Sequence, residues 1–371
     1  MTAETTKKKT RRPNTARVMA LGGTLVALVA ACFFSALTGT STAARAKSAG
    51  GEKPKIAVVL HLRVPSLLQF CYGAETAGQE LGFDVDCVGP QKINTIQQQQ
   101  IANSEVDNRG VKGLAPLLIG AESWRRVIGD LQKRGIKVVD IGIQTGEFMG
   151  DDTPLLVAPR DVRTGRAAAD IIISRLPKNP SGEVVVDIGV PGLKLCEDRF
   201  KGVTQAFAEK APNVKIIKVK VADDDVKGPI DWRAQIEAHP NALAFIGDCA
   251  STAPPILGKL KKETGGKWLV TGSELDPRTP PLIKAGLVAG VTSAAFWVQG
   301  YVGAKVLYEQ IVNNKYTDYK GWIDSGTLVV TKKNVDAILE ALKSKENLAK
   351  YYKPTTNKIF ANLKAHLGPY K

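Results

Sequence analysis

The sequence predicts an α/β protein folded as two doubly wound lobes with parallel sheets, and three observations carry that expectation. Short apolar runs rich in β-branched residues alternate with helical-period segments from Lys55 to about Val330. The strands are too many for one comfortable sheet. The stretch GIQTGEFMGDDTP, starting at Gly142, breaks the alternation about a third of the way along. With 371 residues the chain is long enough for two separate cores.

In order, Lys55–Leu60 reads as a strand buried on both faces. Phe70, Ala74, Ala77 and Leu81 fall at helical spacing after it, Gly82 ends that helix, and Phe83–Val88 is a second strand. This β-α-β unit requires parallel strands with a right-handed crossover. The turn His61–Ser66 sits at the carboxyl end of the first strand, where open α/β sheets place ligands. Helices follow at Ile96–Asn108 and Trp124–Lys133, with strands at Val111–Ile119, Lys137–Ile141 and Leu155–Ala158. Beyond them, helices are expected at Arg163–Leu176, Arg199–Glu209, Trp232–Ala238, Pro255–Lys262, Pro280–Lys284 and Gly300–Asn313. They alternate with strands at Glu183–Ile188, Val214–Val221, Ala242–Gly247, Trp268–Thr271, Val288–Ala294 and Thr327–Val330.

Charge and targeting residues restrict the function classes. The formal net charge is +15, but residues 1–46 hold +6 of it and residues 331–371 another +6. The folded body therefore carries no broad basic face, which argues against nucleic acid. Residues 1–46 read as a signal peptide or membrane anchor: a basic segment to Arg17, an uncharged apolar stretch, then Ala44-Arg45-Ala46. Val29-Ala30-Ala31-Cys32 also resembles a lipobox, which would make Cys32 a lipidated residue. All three readings export the remainder. Residues 47–54 form a linker. Four cysteines remain in the exported body, and an even number in an oxidising compartment points to disulfides. Cys71 with Cys87 and Cys196 with Cys249 would give one bridge per lobe; buried free thiols are the other possibility. The Cys and His spacings match no zinc pattern.

The segments AVVL, AGQELGFDVD, VKGLAPLLI, EDRFKGVTQAF, HPNALAFIGD and VVTKKNVD together resemble the type I solute-binding proteins, the ribose- and galactose-type subunits of bacterial ABC importers. The resemblance spans Lys55 to Asp336. It implies two α/β lobes joined by a three-segment hinge, with a ligand enclosed between them. An N-terminal lobe of residues 53–159 plus 295–327 and a C-terminal lobe of residues 160–294 plus 328–345 follow from it. Residues 346–371 are left as a basic C-terminal tail, packed on lobe two, set against an acidic envelope surface, or solvated.

The resemblance also assigns site residues. Arg199 in EDRFKG matches the arginine that grips sugar oxygens with its rigid fork. Asp248 in AFIGD matches an acceptor for hydroxyls, unless it caps the helix starting near Ser251. Glu274 in TGSELDP stands at the family's acid, with Asp276 as competitor. The departures lie on lobe one. DIGIQTG lacks the family's Asp-Arg pair and leaves Gln144 as the nearby polar residue. The opening turn keeps Pro65 but loses its aromatics, leaving His61 and Arg63. Phe296 and Trp297 would supply an aromatic platform, or else pack at the hinge. GxSxG, GxGxxG and Walker-type loops are absent, and none of His61, His239 and His366 has a Ser/Asp partner at catalytic spacing. The expectation is thus a binding protein without cofactor or metal, a monomer taking a sugar-like or other small polar solute and handing it to an ABC permease. A solute-sensing receptor is the rival reading.

Overall fold

The computed structural model describes residues 53–142 and 153–370. Residues 1–46, read above as a signal peptide or anchor and including Cys32, and Gln144 lie outside these residues. Lobe one opens with β1 (Lys55–Val59), α1 (Leu68–Leu81), β2 (Asp84–Val88), α2 (Thr95–Arg109), β3 (Gly113–Pro116), α3 (Ala121–Lys133), β4 (Lys137–Ile141) and β5 (Leu155–Ala158). Lobe two contributes α4 (Asp161–Ile173), β6 (Gly182–Asp187), α5 (Lys194–Lys210), β7 (Val214–Val219) and α6 (Gly228–Ala238). It continues through β8 (Ala244–Gly247), α7 (Ala253–Thr264), β9 (Leu269–Gly272), α8 (Thr279–Lys284) and β10 (Gly290–Ser293). The chain then returns as α9 (Phe296–Val312) and β11 (Trp322–Asp324), and crosses again into β12 (Leu328–Thr331) and α10 (Val335–Ala341). It ends with α11 (Lys345–Ala361), α12 (Leu363–His366) and β13 (Leu367–Gly368).

The sheets show the expected winding. Lobe one has the strand order β13-β11-β5-β4-β3-β1-β2 and lobe two β7-β6-β8-β9. Every neighbour pair in them is parallel except β11 with β13. A parallel bridge from Ser273 to Thr292 joins the second sheet to the antiparallel pair β10–β12. β1 is apolar from Ile56 to Val59 because helices cover both faces: its even and odd residues enter different cores, one with α1 and α9, the other with α2 and α3. Local signals set the helix ends. Asn94 accepts a hydrogen bond from Gln97 N at 2.9 Å to start α2, and Gly82 closes α1 in the left-handed conformation. Cys71 is bridged to Cys87, and Cys196 to Cys249.

Segments after β5, after β10 and after β11 carry the chain between lobes, and residues 342–344 return it once more from α10 to α11. The chain leaves each of these strands at its carboxyl end, so the ligand-binding edges of both sheets adjoin. Thr164 Oγ1 and Thr327 Oγ1 meet at 2.7 Å between the first and third crossings, and Arg163 pairs with Asp324 there.

Residues 346–371 require a correction. They are neither solvated nor packed on lobe two as a separate tail. Leu348, Tyr352, Ile359 and Leu363 recur at helical spacing and enter the lobe-one core beside Trp297 and Tyr301. Lys353 pairs with Glu80, and Lys345, just before this segment, pairs with Glu75. β13 then adds an antiparallel edge strand to the lobe-one sheet.

Candidate ligand-binding site

On lobe two the site begins with two helices pressed together at small residues. A Cβ added to Gly165 of α4 would stand 1.8 Å from the Arg199 carbonyl oxygen of α5. Only glycine permits this approach, which brings the first turn of α4 onto Arg199. Arg199 Nε donates to Asp161 Oδ1 at 2.9 Å, and Nη1 lies 2.8 Å from Glu274 Oε1. Arg199 is only 4 % exposed. Burial alone would lower its pKa, but Glu274 and Asp161 beside it raise it, so the guanidinium stays charged.

Asp248 follows β8 directly and is fully buried. Its Oδ1 lies 3.5 Å from Ser273 Oγ, and its Oδ2 has no protein hydrogen-bond partner. It does not cap the next helix: Thr252 N donates instead to Asp223 Oδ1 at 3.0 Å. Burial pushes the Asp248 carboxyl up to about 8, with Arg199 opposing and Asp161 and Asp187 reinforcing the rise. Asp161 is pushed up to about 6 by burial, partly offset by Arg199. One guanidinium cannot keep this many buried carboxyls ionised. Burial thus favours the protonated form of Asp248, in which the carboxyl donates as well as accepts.

Glu274 stands just after β9 with φ +75°, and Ala295 at the second crossing has φ +51°. Left-handed backbone at non-glycine residues is strained and collects at functional sites. Between the two, Ala294 is gripped from both lobes. Its N–H lies 3.5 Å from Glu274 Oε2, and its carbonyl accepts from Gln299 Nε2 of α9 at 2.5 Å. Asp276, the competitor, is paired with Arg278.

Lobe one repeats the helix device. A Cβ on Gly300 of α9 would lie 1.9 Å from the Phe70 carbonyl oxygen of α1, and this approach stacks Phe70 on Phe296 with ring centroids 4.7 Å apart. Phe296 keeps a partly exposed face. The space beside Gly142, at the end of β4, is bounded by the Phe70 ring and Gln299 Oε1. That oxygen and His61 Nδ1 are buried without a protein partner. Burial holds the His61 pKa down at about 4, so its ring is neutral at neutral pH.

Two expectations on this lobe fail to fit a ligand contact. Trp297 is fully buried and stacks on Tyr301 at 5.2 Å and Tyr352 at 5.8 Å. It faces the core because it stands one residue, about 100° of helix, from Phe296. Arg63 Nη1 donates to the Cys87 carbonyl at 2.6 Å, tying the turn after β1 to β2. Sequence reasoning missed Asp161, Phe70 and Gln299. The DVRTG segment that carries Asp161 matched no binding motif.

Residues 39–315 match the family model described as periplasmic binding protein domain, and the chain belongs to that family. The family and the solved structures similar to this chain are solute-binding proteins rather than enzymes. A Burkholderia graminis ABC transporter solute-binding protein in complex with D-arabinose is 25 % identical, with a TM-score of 0.68 over 76 % of this chain and 96 % of that one. An Actinobacillus succinogenes periplasmic solute-binding protein with bound D-allose is 19 % identical, with a TM-score of 0.68 over 76 % and 99 %. The arabinose-binding protein of Geobacillus stearothermophilus is 18 % identical, with a TM-score of 0.67 over 77 % and 99 %. Among curated protein sequences none matches. Among the described residues no group of His, Cys, Asp and Glu could hold a metal ion, and no helix is long and apolar enough to cross a membrane.

Proposed function

We propose that the protein is the exported substrate-binding subunit of an ABC importer and captures a neutral, polyhydroxylated solute, a monosaccharide in the first place. One observation carries the reading. A buried, doubly paired Arg199 stands beside Asp248, whose Oδ2 has no protein partner, at the carboxyl edge of one sheet, and unpartnered His61 Nδ1 and Gln299 Oε1 stand at the edge of the other. Leaving such groups unpaired is costly, and a ligand with several hydroxyls can pair them all. Phe296 offers a flat apolar surface to the ring face of a sugar. The structures of the arabinose and allose binders support the same class.

The mechanism is hinge closure. Arg199, Asp248 and Glu274 hold the ligand from lobe two, and contacts from His61, Gln299 and Phe296 reward only the closed form. The permease would then recognise the closed lobes at the membrane's outer face, where the N-terminal segment delivers the protein.

Isothermal titration with D-arabinose, D-allose, other pentoses and hexoses, polyols and small ionic metabolites tests the reading. At least one neutral sugar should bind, and Arg199→Lys, which loses the fork, should weaken that sugar at least about tenfold. Folded protein that ignores every sugar would overturn it.

A further inference from the structure

The family match ends at residue 315, yet the most elaborate contacts at the hinge come from α11, thirty residues later. This helix is fixed to lobe one from end to end. Lys345 in its first turn pairs with Glu75 at 2.8 Å and sits 4.1 Å over the Tyr72 ring. Lys353 pairs with Glu80 and donates to Tyr301 Oη at 2.8 Å. Phe360 packs edge-on to Tyr301 with centroids 6.4 Å apart, and Lys305 lies 4.2 Å over the Phe360 ring.

At its other side α11 is tied to lobe two. Helix α10 packs its Val335 and Ile338 into the lobe-two core, and only Leu342, Lys343 and Ser344 separate it from α11. Those residues are already committed: Leu342 closes α10, and Ser344 caps α11 by accepting from Asn347 N at 3.1 Å. Asn347 Nδ2 also donates back to the Glu340 carbonyl at 3.0 Å. Even fully extended, three residues reach only about 10 Å. Tyr351 contacts both cores. Its neighbour Tyr352 stacks on Trp297 and, with Ala295, Ser325 and Thr327, lines a groove of about 360 Å³ over the second and third crossings. Ala295 adjoins Ala294, whose N–H faces Glu274.

We propose that α11 is a fourth connection between the lobes that limits how far the cleft opens, with Tyr352 as a positioning residue that seats the second crossing behind Glu274. A short tether anchored in both cores excludes wide-open states, so less of the binding free energy is spent on closure. The effect on affinity rests on the solute-binding reading; the effect on opening does not.

The test inserts six Gly/Ser residues between Lys343 and Ser344 in the full chain, lengthening the tether while keeping both packing surfaces. Small-angle scattering without ligand should show a larger maximum dimension than wild type, collapsing to the wild-type value with the sugar that binds best. Affinity should fall about three- to tenfold, the fraction of competent states lost. Tyr352→Ala should weaken binding similarly, and Tyr352→Phe, which keeps the stack, should restore it. If the insertion does not fold by circular dichroism, a three-residue Gly/Ser insertion at the same place lengthens the same tether and is read identically. A folded variant with unchanged ligand-free scattering overturns the proposal. A wider ligand-free form with no sugar bound by any variant upholds the tether and removes the sugar reading instead.

Discussion

Asp248→Asn makes the electrostatics of the site measurable. The wild-type carboxyl is fully buried and pushed up to about 8 by burial, against about 4 in an unfolded chain. A group with a raised folded pKa stabilises fully below its unfolded pKa, and that stability is lost as pH rises through the folded value. The loss therefore falls between about pH 4 and pH 8. At about 1.36 kcal/mol per pKa unit the full rise corresponds to roughly 5–6 kcal/mol, a ceiling. Relaxation and water entering on ionisation reduce it to on the order of 2–3 kcal/mol. For a body of this size that is about 5 °C in melting temperature. Asparagine keeps the shape of the protonated carboxyl and cannot ionise. Calorimetric melts of ligand-free protein from pH 5 to pH 9 at constant ionic strength should give the smallest difference at pH 5. By pH 9 the variant should melt about 5 °C higher. Asp161 and Asp187 are common to both proteins, so the difference between the two curves reports Asp248 together with its coupling to them. Parallel curves would mean that Asp248 is ionised throughout, and the reading of the cluster would fail.

Other perturbations read the same architecture from different sides. Gly165→Ala puts a methyl 1.8 Å from a backbone oxygen and must push α4 from α5; it should cost about 2–4 kcal/mol in chemical denaturation and weaken sugar binding more than a surface substitution does. Cys196→Ala with Cys249→Ala opens a 53-residue separation, and the loop-closure relation gives about 4 kcal/mol lost, read from the denaturation midpoint. Removing Cys71–Cys87, with a separation of 16, should cost about 3 kcal/mol. Phe296→Ala should weaken a ring sugar about tenfold in titration calorimetry while Trp297→Ala, which hollows the core, chiefly lowers the melting temperature.

The strands and helices of both lobes were legible because burial on both faces leaves unmistakable apolar runs, as in IAVV of β1 and EVVV of β6. Arg199, Asp248 and Glu274 are proposed from the sequence because each lies in a segment that resembles the family, and the structure sets Arg199 against Glu274. Asp161 and Gln299 are not. Their roles come from helix pairs meeting at Gly165 and Gly300, a contact between segments 34 and 230 residues apart that no local pattern encodes. The tail was misjudged for a local reason. Pro354 breaks the helical pattern of YYKPTTNKIF, and nine lysines after Thr331 read as solvated, whereas Glu75 and Glu80 on α1 pair with two of them from across the sequence.

The same helix device in the two lobes explains why the departures fall where they do. In each lobe a glycine lets two helices touch at the carboxyl edge of the sheet, Gly165 against Arg199 and Gly300 against Phe70. On lobe two the contact delivers charge: a guanidinium locked between two carboxylates, with a third carboxyl kept neutral. On lobe one it delivers no charge: two stacked rings, the amide of Gln299 and a neutral His61. Orientation of a ligand then rests on lobe two, where paired hydrogen bonds are fixed before binding, and closure rests on contacts with a neutral, partly apolar wall. A ligand bearing a carboxylate or phosphate would place its charge beside Asp161 and Glu274 with no free cation opposite among these residues. On the function proposed above, this arrangement would disfavour anions relative to hydroxyl-rich neutral solutes, and Arg63, held by the Cys87 carbonyl, would not reverse that sign.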